Sequence, residues 1–238
     1  MEKDIKYSLV VPCYNEEKNI PLILERFALL AEKSSNLEVI LVDNGSTDNT
    51  HYILVDLLPR YNFARSLRVE INQGYGFGIT SGLRAAKGGI IGWTHADMQT
   101  DPLDFLEAIK IFESNSNSEQ CFVKGRRYGR PLGDVFFTMG MSLFETFFLK
   151  SRLFDINAQP NLFPKSFFVQ LEKLPNDFSL DLFIYYMARK SSLSIHRFPV
   201  RFNSRIHGHS NWNIDWKSKV KFIKRTVDFS LDLKKRIL

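Results

Sequence analysis

The chain has 238 residues, 44% of them hydrophobic, with 32 basic and 26 acidic side chains for a net charge of 32 − 26 = +6. That apolar content excludes a disordered chain, and the length suits one large domain or a domain with an extension. The basic excess favours anionic partners, while two cysteines, Cys13 and Cys121, give neither a disulfide framework nor a metal-ligand spacing and point to a reducing compartment. Met1-Glu2-Lys3-Asp4 lacks the apolar core of a signal peptide, and charges break every apolar stretch before spanning length, Glu145 among them. The expectation is a cytoplasmic protein that does not cross a membrane.

In chain order, residues 7–11 read as a buried strand, and Ile20, Leu24, Phe27 and Ala31 follow at helical spacing. Residues 37–42 form a second predicted strand, followed by a helix running through Leu58; residues 67–71 form a third, followed by a helix ending near Ala86. Residues 89–93 are a fourth strand, 103–112 a helix and 122–123 a fifth strand. Strand and helix alternating at this pitch predict an α/β fold, a mostly parallel sheet with helices on both faces. After Gly125 the pattern loosens and aromatics crowd residues 136–154 and 163–183.

In such a sheet ligands bind outside the carboxyl ends of the strands. The first strand ends in Pro12-Cys13-Tyr14-Asn15-Glu16-Glu17, the second in Asp43-Asn44-Gly45-Ser46-Thr47-Asp48, the third in Asn72-Gln73-Gly74-Tyr75-Gly76 and the fourth in His95-Ala96-Asp97-Met98-Gln99. Each cluster has a bland explanation as a cap or turn, and Asp101-Pro102 is a good helix start. Four clusters on one edge predict a binding site. A dinucleotide-binding dehydrogenase is excluded, because residues 12–17 contain no glycine. No nucleic-acid recognition motif is visible either.

The ordered set "VVPCYNEEKNI", "ILVDNGSTDNT", "NQGYGFGITSGLRAAKGGIIGWTHADMQTDP" and "RIHGHSNW" resembles family 2 glycosyltransferases of the GT-A fold. The nearest likeness is to the dolichol-phosphate-mannose-synthase-like branch, which transfers sugars to polyprenyl phosphates. The resemblance implies that Pro12, Tyr14 and Glu16 cradle a nucleoside, that Asp43 hydrogen-bonds the base and that Gly74 closes over the nucleotide. Asn15, Tyr75, Ala96 and Asp97 complete that set. Where the family reads Asp-Ala-Asp-Leu-Gln, this chain reads His95-Ala96-Asp97-Met98-Gln99. With alternate residues facing one ligand, Asp97 is the expected ligand of Mg²⁺ or Mn²⁺ at a sugar-nucleotide diphosphate, with Gln99 and His95 beside it. Imidazole suits Mn²⁺ better than Mg²⁺, which prefers oxygen.

The resemblance also implies an acceptor side. Gly125-Arg126-Arg127-Tyr128 is similar to the family's Gly-x-Arg-Tyr, making Arg127 a phosphate-binding candidate. Met139 and Asn161 stand where the branch carries arginines. Arg205 with Gly208 and Ser210 matches an Arg-x-x-Gly-x-Ser loop that, with Arg201, His207 and His209, would form a cationic lid over the diphosphate. Transfer would be a single inverting displacement. A hydroxyl acceptor needs a general base, and an anionic phosphate acceptor needs none; Asp155 is the first candidate, as base or acceptor contact, and Asp181 the second, as base or as a group that orients a neighbour. The alternative is a degenerate transferase that binds sugar nucleotides without turnover.

Residues 1–212 are expected to form the transferase domain and 213–238 an amphipathic helical extension. From Trp216, residues Val220, Ile223, Val227, Leu231 and Leu238 fall on one stripe, which Phe222, Phe229, Leu233 and Ile237 extend, opposite a lysine- and arginine-rich face. Two uses remain open. The stripe packs on the domain or on a second subunit of a homo-oligomer, or it lies in an anionic membrane surface near a lipid-linked acceptor, with Trp212 and Trp216 at headgroup level.

Overall fold

A computed structural model describes residues 5–207 and 216–237 of the chain. β1 (Tyr7–Cys13), β2 (Leu37–Asn44), β3 (Ala64–Val69) and β4 (Ile90–Trp93) alternate with α1 (Ile20–Lys33), α2 (Thr50–Leu57) and α3 (Tyr75–Ala85). α4 (Asp104–Ser114), β5 (Cys121–Tyr128), α5 (Leu132–Phe148), β6 (Asn161–Pro164), α6 (Lys165–Phe168), α7 (Ser179–Lys190), β7 (Ser194–Arg201) and α8 (Trp216–Ile237) follow. The strands form one sheet in the order β3-β2-β1-β4-β6-β5-β7. β6 runs antiparallel to β4 and β5, and the other pairings are parallel. This is the predicted α/β architecture, with one reversed strand at its middle.

Alternation along each strand divides the core between the two faces. Leu9 and Val11 of β1 point to α1, α2 and α4, where Ile20, Leu24, Phe27 and Phe112 are buried. Val10 points to the opposite face, where Ile79 and Leu83 of α3 and Phe183 of α7 pack with Trp93 and Phe163. A sheet covered on both sides needs apolar residues at successive positions, which is why β1 and β2 read as continuous hydrophobic runs.

The third strand lies three residues earlier than expected, because β2 alone pairs with it and the register ends at Asn44↔Val69. Ile71, expected inside the strand, is exposed. Asp101 does serve the start of α4: its carboxylate accepts from the Leu103 N–H at 2.9 Å. The sequence reading missed β6 and β7.

α8 packs against α5 and α7, but not through the whole predicted stripe. Leu233 and Ser230 are buried and Phe229 meets Phe183 edge-on, whereas Val220 and Leu231 remain exposed. The Ser230 hydroxyl donates to the buried Glu145 carboxylate at 2.8 Å, and a polar contact of this kind fixes the rotation of the helix more tightly than apolar area does. The boundary expected at residue 213 lies outside the described residues.

α5 carries the larger uncovered surface. Leu132, Phe136, Met139, Leu143 and Phe147 recur at helical spacing along one side and are all exposed. Among the described residues no helix is long and apolar enough to cross a membrane.

Candidate functional site

The strand ends of β1 to β4 converge as the topology requires. Asn15, in the left-handed region at φ 57°, bridges two of them: its Oδ1 accepts from the Thr47 N–H at 2.8 Å and its own N–H donates to Ser46 Oγ at 3.1 Å. Asp43 closes the second turn by accepting from the Ser46 N–H at 3.0 Å through Oδ1. Its other oxygen, Oδ2, is buried without a hydrogen-bond partner, and His51 Nδ1 lies 3.6 Å from it. A buried acceptor left unpaired is costly, so Oδ2 is suited to an incoming N–H donor.

The third strand end closes on the chain before α7. Gly74, at φ 112°, could carry no side chain, since a Cβ there would lie 2.3 Å from the Asn176 carbonyl oxygen. Its carbonyl accepts from Asn44 Nδ2 at 2.9 Å. Tyr75 stacks on Phe178 at 4.4 Å between centroids and on His95 at 5.6 Å. Pro12 and Glu16 are half-buried and Tyr14 is exposed. Burial raises the Glu16 carboxyl, against the hydrogen bond from Asn19, with the Asp97 charge adding to the rise and Arg205 opposing it.

Met98 also adopts a left-handed φ, 57°, so simple alternation does not run through residues 95–99. Asp97 and Gln99 converge on Arg205: Nη2 is 2.9 Å from Asp97 Oδ2 and Nε donates to Gln99 Oε1 at 3.2 Å. His95 instead stacks against Tyr75, and burial holds its imidazole below the ordinary range despite Asp97 and Asp181. Among the described residues no three His, Cys, Asp or Glu side chains form a metal-holding cluster. The donor set therefore fits a divalent ion only in part. Asp97 is one carboxylate already paired with a cation, and a ligand's own oxygens would have to supply most of the coordination.

On the other side of β4 lies a cluster of positive charge. Asp155 is buried, with Arg127 Nε donating to Oδ1 at 2.9 Å and the Arg127 N–H donating to Oδ2 at 2.8 Å. Arg130 and Arg197 lie 3.6 and 3.8 Å from its oxygens. Burial alone would raise this carboxyl, but Arg127 and Arg130 outweigh it and hold it below the usual range. Such a carboxylate is a weak proton acceptor. Asp155, expected as base or acceptor contact, gathers three guanidiniums around its lone pairs.

Arg127 and Arg130 border a cavity of about 300 Å³. Arg126, Arg127 and Arg130 form its polar side, and Val135 and Met139 of α5 with Phe154 its apolar side. The Nε–H of Arg130 is buried there with no partner.

The structure thus brings Asn15, Asp43, Gly74, Tyr75, Ala96 and Asp97 to one edge and seats Arg205 on Asp97. It stacks His95 on Tyr75, with the Asp97 charge acting on it, and places Arg127 with Asp155. His207 is exposed at the end of the described segment, and Gly208, His209 and Ser210 lie outside the described residues. Asp181 is buried, accepting from Gln159 Nε2 at 2.8 Å and from Tyr75. Arg130, Arg197 and Lys124 were missed. Lys124 sits inside the apolar run Phe122-Val123-Lys124-Gly125, and a charge breaking such a run was a usable signal.

Comparison with known proteins gives these contacts a context. The family model described as glycosyl transferase family 2 matches residues 8–169. An undecaprenyl-phosphate 4-deoxy-4-formamido-L-arabinose transferase of Photorhabdus laumondii is 34% identical over 110 residues, 45% of this chain and 34% of that protein. A dolichyl-phosphate beta-glucosyltransferase of Trichomonas vaginalis is 32% identical over 127 residues, 50% of this chain and 39% of that one. The chain thus covers little more than a third of the length of these relatives. Among solved structures, glucosyl-3-phosphoglycerate synthase from Mycobacterium tuberculosis, in complex with Mn²⁺, UDP and glucosyl-3-phosphoglycerate, superposes with a TM-score of 0.71. It is 17% identical, over 95% of this chain and 78% of that one. A mannosyltransferase from Pyrobaculum calidifontis in complex with GDP-Man and Mn²⁺ gives 0.65 at 18% identity, over 85% and 58%. These likenesses establish the GT-A fold.

Proposed function

Because the chain belongs to glycosyl transferase family 2, we propose that it transfers a sugar, with inversion, from a UDP- or GDP-linked donor to a polyprenyl phosphate at the inner face of a membrane. The observation that carries this reading is the cavity beside β5. Arginines line one side and α5 side chains the other, and Met139, Tyr128 and Phe154 belong both to its lining and to the exposed apolar surface. A phosphate would meet the unpaired Arg130 Nε–H, and a prenyl chain could leave along α5.

The donor would bind at the strand ends, its base donating to Asp43 Oδ2 and its ribose and diphosphate lying between Pro12–Glu16 and Tyr75–Asp97. Asp97 would hold a divalent ion, Mn²⁺ or Mg²⁺, with Gln99 as a further oxygen donor; that ion supplies charge stabilisation for the departing diphosphate. Arg205 leaves Asp97 in the process and becomes available to the diphosphate, with His207 on the same loop. The acceptor phosphate is already a nucleophile, so no general base is required. The one carboxylate lining the cavity among the described residues, Asp155, is committed to arginines. The partial match to relatives that act on undecaprenyl and dolichyl phosphates supports the acceptor class.

A second reading is a transferase-like binder without turnover. It is favoured by the Arg205–Asp97 pair and by a histidine in place of an oxygen ligand. Thermal unfolding with UDP and with GDP, each with and without Mn²⁺, tests the site itself. At one hundred times Kd the bound nucleotide should stabilise the fold by about 2.7 kcal/mol, and no shift at millimolar nucleotide overturns both readings. Incubation of UDP-glucose and GDP-mannose with Mn²⁺ and a short-chain polyprenyl phosphate then separates the two. Glycosyl-phosphate product supports transfer, and binding without product or donor hydrolysis supports the binder.

A further inference from the structure

Lys124 is 1% exposed in the middle of β5. A buried amine is costly unless its donors are met, and burial lowers this one from 10.5 to about 7; Nζ donates to the Ala158 carbonyl at 2.7 Å and to Asn161 Oδ1 at 2.8 Å. Asn161 is the residue paired with Lys124 across the β5–β6 register. Asn161 Nδ2 donates in turn to Gln159 Oε1, and Gln159 Nε2 donates to Asp181 Oδ1 at 2.8 Å.

The contacts give this chain one direction. Lys124 Nζ is the donor at one end, so Asn161 presents its oxygen to Lys124 and its NH₂ to Gln159. Gln159 then presents its NH₂ onward to an Asp181 carboxyl oxygen. Reversing either amide would face NH₂ against a donor. Hydrogen bonds aligned head to tail reinforce one another. Asp181 also accepts from Tyr75, whose ring stacks on His95 at the donor-side turn. A cation on one side of the sheet thus reaches, through two amides, the aromatic side of the candidate donor site.

We infer that Lys124 is a positioning residue: through Asn161 and Gln159 it holds Asp181 as an oriented carboxylate and thereby fixes Tyr75 and His95 against the donor. The inference rests on the donor-site reading for its consequence, though not for the relay itself. An arginine at position 161 could donate to Gln159 Oε1 directly and shorten the chain by one link.

The experiment compares the full chain with Lys124→Met, which keeps the stem and removes the charge, and with the double variant Lys124→Ile/Asn161→Arg. The activity-independent readout is solvent exchange of the Gln159 side-chain amide protons by NMR, assigned with Gln159→Leu. Lys124→Met should lose protection about tenfold, the scale of one charge-assisted hydrogen bond, and the double variant should regain it. With UDP-glucose or GDP-mannose, whichever the wild type hydrolyses, kcat should fall about tenfold in Lys124→Met with KM changed less than about twofold, and recover in the double variant. Unchanged protection in Lys124→Met overturns the inference, as does a folded double variant that leaves Gln159 unprotected. If Lys124→Met does not fold, the double variant alone decides. If the wild type binds neither UDP nor GDP, the donor-site reading fails while amide exchange still rules on the relay.

Discussion

In β2, β1 and β4, strand interiors are apolar and the polar groups sit near strand ends, Ser8 and Glu38 at one end and Asp43 and Asp97 at the other. In β6, β5 and β7 charge lies within or directly behind the strands, as Lys124, Asp155 and Asp181 show. The first arrangement leaves function to loops on a rigid frame, where turns satisfy most polar atoms and a few, Asp43 Oδ2 and Asn44 Oδ1 among them, are buried without a partner. The second ties function to the core. Each buried charge needs a partner, so removing one group disturbs several others. Substitutions on the donor side should therefore lower activity and spare the fold, and those on the acceptor side should change both.

Asp97→Asn is the largest test of that contrast. Its Oδ1 can still accept from the Gln99 N–H, now 3.1 Å away, so the turn should persist and the melting temperature should hold. Loss of the charge facing a leaving diphosphate should lower transfer about 10²- to 10³-fold. Retained activity would remove Asp97 from the mechanism, and a large fall in melting temperature would break the contrast.

Glu145 tests the other side. It is buried between α5 and α8, and burial pushes its carboxyl from 4.5 up to about 7, against the hydrogen bond from Ser230. A carboxylate whose folded pKa is raised makes the folded state bind the extra proton. Stability from this group is therefore fullest below pH 4.5, falls as pH rises to about 7 and stays low above that. The span corresponds to about 3 kcal/mol. Glu145→Gln should lack this slope and be the more stable protein at pH 8 by a similar amount, measured as the difference in urea unfolding between variant and wild type across pH. Identical pH profiles would show that Glu145 is hydrated rather than buried.

Gly92 marks the seam between the two parts. It lies in β4 opposite β6, and a Cβ there would fall 2.1 Å from the Asn161 carbonyl oxygen. Gly92→Ala must part the strands, at a cost of about 2 kcal/mol and a drop of roughly 4–8 °C in melting temperature. Gly133, with nothing within 4 Å of its Cβ position, is the control, and Ala there should be neutral or stabilising. Equal effects at the two glycines would mean that the seam is compliant.

The same contrast explains what the sequence revealed. Long apolar runs and the polar clusters that end them are local signals, so the first four strands and the residues at their ends could be read directly. β3 slipped because an edge strand takes its register from a single neighbour. β6, four residues long, and β7, interrupted by Pro199, give weak periodic signals. The pairing of Asp155 with Arg130 and Arg197 joins residues 25 and 42 positions apart, and no local spacing predicts it. Met98 takes a left-handed φ between Asp97 and Gln99, a turn that simple alternation does not predict.

The smallest expected effect concerns the membrane, and there the structure moves the relevant surface. The apolar stripe of α8 is partly consumed by packing through Phe229 and Leu233, so α5 offers more uncovered area, with Phe136 69% and Phe147 78% exposed. Exposed Lys150 and Arg152 follow its C-terminal end and suit anionic headgroups. Vesicles containing phosphatidylglycerol should bind the protein, less so as salt rises. Phe136→Ser/Phe147→Ser should weaken binding about tenfold, close to the loss of one partly inserted phenyl ring, and Val220→Ser/Leu231→Ser should weaken it less. Melting temperature should not move in either pair, since these side chains already face solvent. A reversed order would return the membrane role to α8. If the phenylalanine pair leaves vesicle binding unchanged but converts a dimer to a monomer in sedimentation, the α5 surface joins two copies of the chain, and the acceptor reaches the cavity without help from the bilayer.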